Sequence, residues 1–161
     1  MPSILIVYDS KTGNTEKMAY AIAEGVKRVE QIGVEVKRVT DTSLDDLLQA
    51  NGIIVGTPTY YGDVSAPMKK LFDESAEIHG KLEGRIGAAF TSSGGVASGA
   101  ETTLLSLLQA MLIHGMIIQG RSQTEHYGAA AVGSPDENEV KSCRDLGEKT
   151  AHLLLRFKPV H

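Results

Sequence analysis

Ser10-Lys11-Thr12-Gly13-Asn14-Thr15 gathers hydroxyls, an amide, a glycine and one fixed charge, that of Lys11, into a single short loop. Apolar residues from Ile4 to Tyr8 lead into it. A helical pattern begins directly behind it, with Met18, Ala19, Ile22, Val26 and Val29 on one face. A helix start leaves backbone N–H groups without partners and carries the positive end of the helix dipole, so it attracts an anion. Ser10, Thr12, Asn14 and Thr15 add side-chain donors, and Gly13 lets the backbone turn or approach closely. This cradle, neutral apart from Lys11, suits a phosphate monoester. The two common nucleotide motifs are absent: there is no G-x-x-x-x-G-K-[ST], and no G-x-G-x-x-G follows the first strand. Gly94 to Gly99 has the glycine gap of a P-loop but continues Ala100-Glu101, without the lysine.

Two further segments carry the same signature of unsatisfied donors. One is Gly56-Thr57-Pro58-Thr59-Tyr60-Tyr61-Gly62-Asp63, and the other runs from Thr91 through Ser92, Ser93, Gly94, Gly95 and Val96 to Gly99. Both are long for connections from a strand to a helix. Pro58, Tyr60 and Tyr61 add an apolar or aromatic face. His114 ends an apolar helical run containing Leu107, Leu108, Met111, Leu112 and Ile113, a place where a C-terminal cap is favoured by the dipole. His79, His126, His152 and His161 lack metal-ligand spacing and read as surface residues, so no metal site is expected. Asp9 and Asp63 adjoin the loops without a partner that would mark a general acid.

These loops need a frame that brings them together, and the alternation of strands and helices supplies one. Strands are expected at Ile4 to Tyr8, Val34 to Lys37, Ile53 to Val55, Ile86 to Phe90 and Met116 to Ile118, the last resuming at Ala129 to Val132. The first is apolar throughout, as a central parallel strand is, whereas Val34-Glu35-Val36-Lys37 alternates like an edge. Helices are expected from the end of the loop to Gly33, over Leu44 to Gln49, Ala66 to Ser75, Ala100 to Ile113 and Glu137 to Arg156. The last of these buries Val140, Leu146, Leu153, Leu154 and Phe157. The result is a single α/β domain over residues 1–161: a doubly wound five-stranded parallel sheet, order 2-1-3-4-5, with helices on both faces and an interrupted fifth strand. In that topology the segments after strands one, three and four meet at one crevice.

Composition narrows the partners. A net charge of −4 argues against nucleic acid. The start Met1-Pro2-Ser3 is followed directly by a strand, and neither a signal peptide nor a membrane span is expected. The lone Cys143 excludes an internal disulfide and fits a reducing cytoplasm, with a buried structural role on its helix.

Tyr8, Ser10, Gly13, Thr15, Ala19 and Ile22 together resemble the FMN-phosphate signature of the flavodoxin family. Gly56 to Gly62 with Ser65 and Met68, the turn after Ser92-Ser93, Glu101-Thr102, His114-Gly115 and Tyr127-Gly128-Ala129 are similar to the WrbA group of NAD(P)H:quinone oxidoreductases. The resemblance implies FMN, its phosphate on Ser10 to Thr15. It implies the ribityl chain and isoalloxazine ring against Pro58, Thr59, Tyr60, Tyr61, Gly62 and Ser92, Ser93, Gly94, Gly95, Val96. It further implies His114 at the ring edge as the catalytic group. Two WrbA features are missing: Val39 connects to Ile53 without the usual insertion, and no tryptophan stands near Glu77, Ile78 and His79. Thr12 also replaces the aromatic on the nicotinamide side.

The function expected is that of an FMN-dependent oxidoreductase, with NAD(P)H as donor and a quinone-like molecule as acceptor. The alternative is a carrier passing single electrons between redox protein partners. Tyr60, Tyr61, Ile78 and Tyr127 are expected to form an apolar patch that a second copy covers, giving a homodimer or homotetramer.

Overall fold

The computed structural model describes residues 1–157; His161 lies outside them. Strands and helices follow in the order β1 (Ser3–Tyr8), α1 (Asn14–Lys27), β2 (Gly33–Arg38), α2 (Leu44–Gln49), β3 (Gly52–Tyr60), β4 (Asp63–Val64), α3 (Ala66–Glu74), β5 (Ile86–Ser93), α4 (Ala100–Ile113), β6 (Ile117–Ile118), β7 (Ala129–Val132) and α5 (Glu137–Arg156). The strands pair in the order β2-β1-β3-β5-β6, with β7 continuing alongside the far end of β5. All of these pairings are parallel. Once β6 and β7 are taken as one interrupted strand, this is the doubly wound order expected. The additional β4 is a short antiparallel return on the end of β3.

The period-2 geometry of β1 divides the interior. Ile4, Ile6 and Tyr8 face α1 and α5, among Met18, Ile22, Val26, Cys143, Leu146 and Leu154. Leu5 and Val7 face the other layer, among Met68, Leu71, Leu104, Leu107 and Met111. With both faces covered, β1, β3 and β5 are buried nearly end to end, apolar up to the hydroxyls at the ends of β3 and β5, while β2 stays half exposed at the edge. Helix starts follow local chemistry: Ser43 and Asp46 form a capping box on α2, Asp136 and Glu139 another on α5, and Pro67 sits in the first turn of α3.

Helices α1 and α5 touch at glycines. A Cβ on Gly25 would lie 1.9 Å from the Arg144 carbonyl oxygen, and one on Gly147 would lie 2.0 Å from that of Ile22. The excursion between β6 and β7 is pinned to α5 by Arg121, which pairs with Glu125 at 3.5 Å and donates to Ser142 Oγ at 3.0 Å. Glu125 in turn accepts from the Ala130 N–H at 3.2 Å.

Several boundaries differ from those expected. Helix α1 ends at Lys27, and Gly33 opens β2, with its N–H on Pro2 O at 2.9 Å. Strand β3 runs on through Pro58 to Tyr60, and β5 through Ser93. Phe157 is 42% exposed instead of buried, because it follows the last turn of α5 with extended backbone. Ile78 is 6% exposed and packs among Leu71, Leu82 and Met111, so it leaves the expected surface patch.

Candidate functional site

The loop after β1 is shaped by its own hydroxyl and its glycine. Asp9 N–H still pairs with Gly56 O at 3.0 Å, so the chain leaves the sheet beside β3. Ser10 Oγ accepts the Gly13 N–H at 3.1 Å and curls the loop. Gly13 caps α1 with φ 91°, and a Cβ there would meet nothing within 4 Å. Backbone angle, not crowding, is what favours glycine at this position. The first helical bond is Lys17 N–H to Gly13 O at 3.0 Å. Among the described residues, the N–H groups of Asn14, Thr15 and Glu16 have no acceptor in the chain. They are donors at the positive end of α1, a geometry that fits a phosphate monoester.

Hydroxyls join the carboxyl ends of the strands. Thr15 Oγ1 lies 2.7 Å from Ser92 Oγ, both buried. One of the two donates to the other, which leaves one proton for a third group. Thr59 and Thr91 share a hydroxyl bond of 2.8 Å, Thr91 donates to Thr57 O at 2.6 Å, and Thr57 donates to Ser65 Oγ at 3.0 Å. Ser93 and Ser98 both donate to Gly95 O, at 3.0 and 2.6 Å, and fold the 94–99 turn.

Tyr61 and Gly62 form the two-residue tip of the β3–β4 hairpin, with φ 48° and 74°. Positive φ at both central residues marks a type I′ turn. A tyrosine rarely adopts this backbone, and here it leaves the Tyr61 ring fully exposed at the lip of the crevice. The tip rests on the start of α4: a Cβ on Gly99 would lie 2.3 Å from Gly62 Cα, and Thr102 Oγ1 donates to Gly62 O at 2.9 Å. Lys11 Nζ stands 5.2 Å from the centre of the Tyr60 ring. Each of the three loops therefore touches the other two, through Thr15 with Ser92, Lys11 with Tyr60, and Gly62 with Gly99.

His114 is not part of this assembly. Helix α4 starts against Gly62 and runs back to Gly115, whose carbonyl accepts the Gly84 N–H at 2.9 Å just before β5. The strand after His114 pairs with Ile86 and Gly87, the first residues of β5, whereas Ser92 and Ser93 are its last. At about 3.3 Å per strand residue, His114 is on the order of 20 Å from the crevice. This corrects its expected place at the ring edge of its own chain. His114 is 6% exposed, with Nε2 2.8 Å from Ser75 Oγ, which itself donates to Phe72 O at 2.6 Å. Ser75 gives its one proton to Phe72 O, so Nε2 is the donor of the pair, and Nδ1 is buried without a partner. Burial, aided by neighbouring His79, holds its pKa below the usual histidine value.

Sequence reasoning passed over Thr57, Ser65, Thr91 and Gly99 as site residues. The cue was present in the hydroxyls flanking the chosen loops, but only the structure pairs them across strands. Hollows of about 660 Å³ beside the 121–125 excursion and about 420 Å³ between α3 and α4 lie elsewhere. Neither is lined by the phosphate loop.

The flavodoxin model matches residues 6–111. A flavodoxin of Aquifex aeolicus is 38% identical over 165 residues, covering 98% of this chain and 89% of that protein. An NAD(P)H dehydrogenase (quinone) of Archaeoglobus fulgidus is 34% identical over 187 residues, covering 95% of this chain and 97% of its own. The solved structure of a flavodoxin, WrbA-like protein from Agrobacterium tumefaciens superposes with a TM-score of 0.83 at 26% identity, covering 98% of this chain and 100% of that one. Sheet order, the joined loops and these likenesses agree: the chain belongs to the flavodoxin family.

Proposed function

We propose that the protein binds one FMN non-covalently in this crevice and acts as an FMN-dependent oxidoreductase, oxidising NAD(P)H and reducing a quinone-like acceptor. The observation that carries the reading is the donor-rich N-terminus of α1, joined to the two other loops by side-chain and backbone contacts. Its donors match a phosphate monoester. Bound there, FMN supplies reversible hydride and electron transfer, and the protein's part is to hold and tune it.

Ser10, Thr12, Gly13, Asn14 and Thr15 would hold the phosphate through the free N–H groups and hydroxyls. Pro58, Thr59, Tyr60, Tyr61 and Gly62 would flank the ribityl chain and ring on one side, and Ser92, Ser93, Gly94, Gly95 and Val96 on the other. Lys11 brings the only cation of its loop to the Tyr60 side, where it would favour an anionic group. Thr91, which donates to the Thr57 carbonyl and shares a hydroxyl bond with Thr59, ties the ends of β3 and β5 together and holds the two walls in place.

A carrier that passes single electrons to a protein partner is the second reading. It is favoured by the open lip, where Tyr61 and Val96 stand exposed. Relatives bear both names, flavodoxin and NAD(P)H dehydrogenase (quinone). Oligomers, a homodimer or a homotetramer, and a cytoplasmic location complete the proposal. The second rests on Cys143, the one cysteine of the sequence, which suits a reducing compartment.

Anaerobic reduction of the FMN-loaded protein separates the two functions. Reduction in one two-electron step, with NAD(P)H oxidised faster than by free FMN when quinone is added, is expected of the enzyme. Two resolved one-electron steps, with NAD(P)H inert, would replace it with the carrier.

A further inference from the structure

We propose that Arg38 is a positioning residue for the phosphate loop: it draws the Glu16 carboxylate and the Ser10 carbonyl to itself, so that donors alone are left to the anion. The inference rests on the reading of residues 10–15 as the phosphate site.

The first turn of α1 contains a contradiction. Asn14 and Thr15 are suited to an anion, but Glu16 places a carboxylate beside the same free N–H groups. The same loop carries the Ser10 carbonyl, an acceptor that would also repel a phosphate. Both are accounted for by one side chain. Arg38 ends the edge strand β2, in register with Tyr8. Its Nη2 donates to Glu16 Oε2 at 2.7 Å and its Nη1 to Ser10 O at 3.2 Å. The guanidinium carbon stacks 5.2 Å from the centre of the Tyr8 ring, and Tyr8 Oη donates to the same Glu16 oxygen at 2.6 Å. Burial first, and then the bond to Glu16, raise the Tyr8 hydroxyl to about 12, so it remains a donor at any ordinary pH.

This side chain thus ties β2, the end of β1, the loop and the first turn of α1 to one another. A lysine could neutralise Glu16 but could not reach two acceptors with a planar fork while lying flat on an aromatic ring. The preference for FMN over riboflavin then depends on a residue outside the loop itself.

The test is titration of FMN and of riboflavin into the apoprotein, for wild type, Arg38→Gln, and the double change Arg38→Gln with Glu16→Gln. In wild type FMN is expected to bind more tightly. Arg38→Gln should reduce the ratio of FMN to riboflavin affinity by roughly tenfold, as a carboxylate released beside the anion is added to a loosened loop. The double change should recover part of that ratio, because the released charge is gone. If Arg38→Gln does not fold, Arg38→Met, which also removes the charge, is judged by the same ratio. A ratio that moves by less than about threefold, the scale of an ordinary exposed ion pair, would overturn the inference. A wild-type protein with no preference for FMN would instead remove the phosphate reading, and the role of Arg38 with it.

Discussion

At residue scale the site depends on hydroxyl protons that are already shared. Thr15 and Ser92 hold one proton between them and have one to give. Replacing Thr15 by valine keeps the shape and removes a donor that a phosphate would use. A hydrogen bond to a charged group contributes roughly 1.5–3 kcal/mol, so Thr15→Val should weaken FMN binding by roughly tenfold or more. Riboflavin should lose much less. Calorimetric titration of both ligands checks this, and equal losses would move the phosphate elsewhere. His114 is the contrary case. Its motif suggested a flavin contact, whereas its helix carries it to the far end of the sheet and onto Ser75. A helix that joins two parallel strands starts at the crevice and returns to the opposite edge, so the expected topology itself sets His114 apart, and only the motif pointed the other way. Because its folded pKa is depressed, the unfolded chain binds the extra proton. The stability it contributes is complete above about pH 6.5, falls as pH drops below that, and levels off below the folded pKa. His114→Ala should cost about 1–3 kcal/mol near neutrality and lessen the fall in stability between pH 7 and pH 5, leaving the FMN midpoint potential unchanged. Urea denaturation at the two pH values and spectroelectrochemistry read both outcomes.

Elements were legible where pattern and punctuation agreed. The buried parallel strands read as apolar runs, and the helices expected from Leu44, Ala66 and Glu137 begin there. Gly33 misled, because a glycine that could end a helix instead opens β2. Pro58 and Thr59 resemble loop residues, yet β3 keeps them by pairing Pro58 alongside Ser92 and folding back through β4. A proline at the end of a strand forgoes only one ladder bond there. No sequence period reveals which glycines are crowded, and here the structure alone decides. Gly147→Ala would push a Cβ into the Ile22 carbonyl of α1, backbone that cannot rotate away. Overpacking of that kind costs roughly 1–3 kcal/mol or more, so the midpoint of urea unfolding should fall clearly. Gly94→Ala, at a position with open space, should stay within about 0.5 kcal/mol of wild type. Matching losses in the two variants would mean that α1 and α5 do not approach as closely as described.

Across the whole molecule, the sheet's central strands bring three loops to one edge, and the surfaces left over bear on assembly. Tyr61 is fully exposed and Tyr127 is 43% exposed, so part of the apolar patch expected from sequence remains, although Ile78 has gone to the interior. Helix α4 adds Leu105, Leu112 and Ile113, of which Ile113 is 71% exposed. These residues stand on the same helix that supports the hairpin tip through Thr102. A second copy covering the whole length of α4 would reach the lip of the crevice through the first turns of the helix, since Leu112 and Ile113 stand at its other end. With a net charge of only −4, repulsion between copies is weak. The prediction is a dimer at least at micromolar concentration, in which Leu112→Glu with Ile113→Glu shifts the equilibrium to monomer by placing like charges in the contact. Sedimentation velocity of the FMN-loaded protein reads it directly. Wild type sedimenting as a clean species of about 17 kDa would sink the idea, as would a double variant that assembles as readily as wild type.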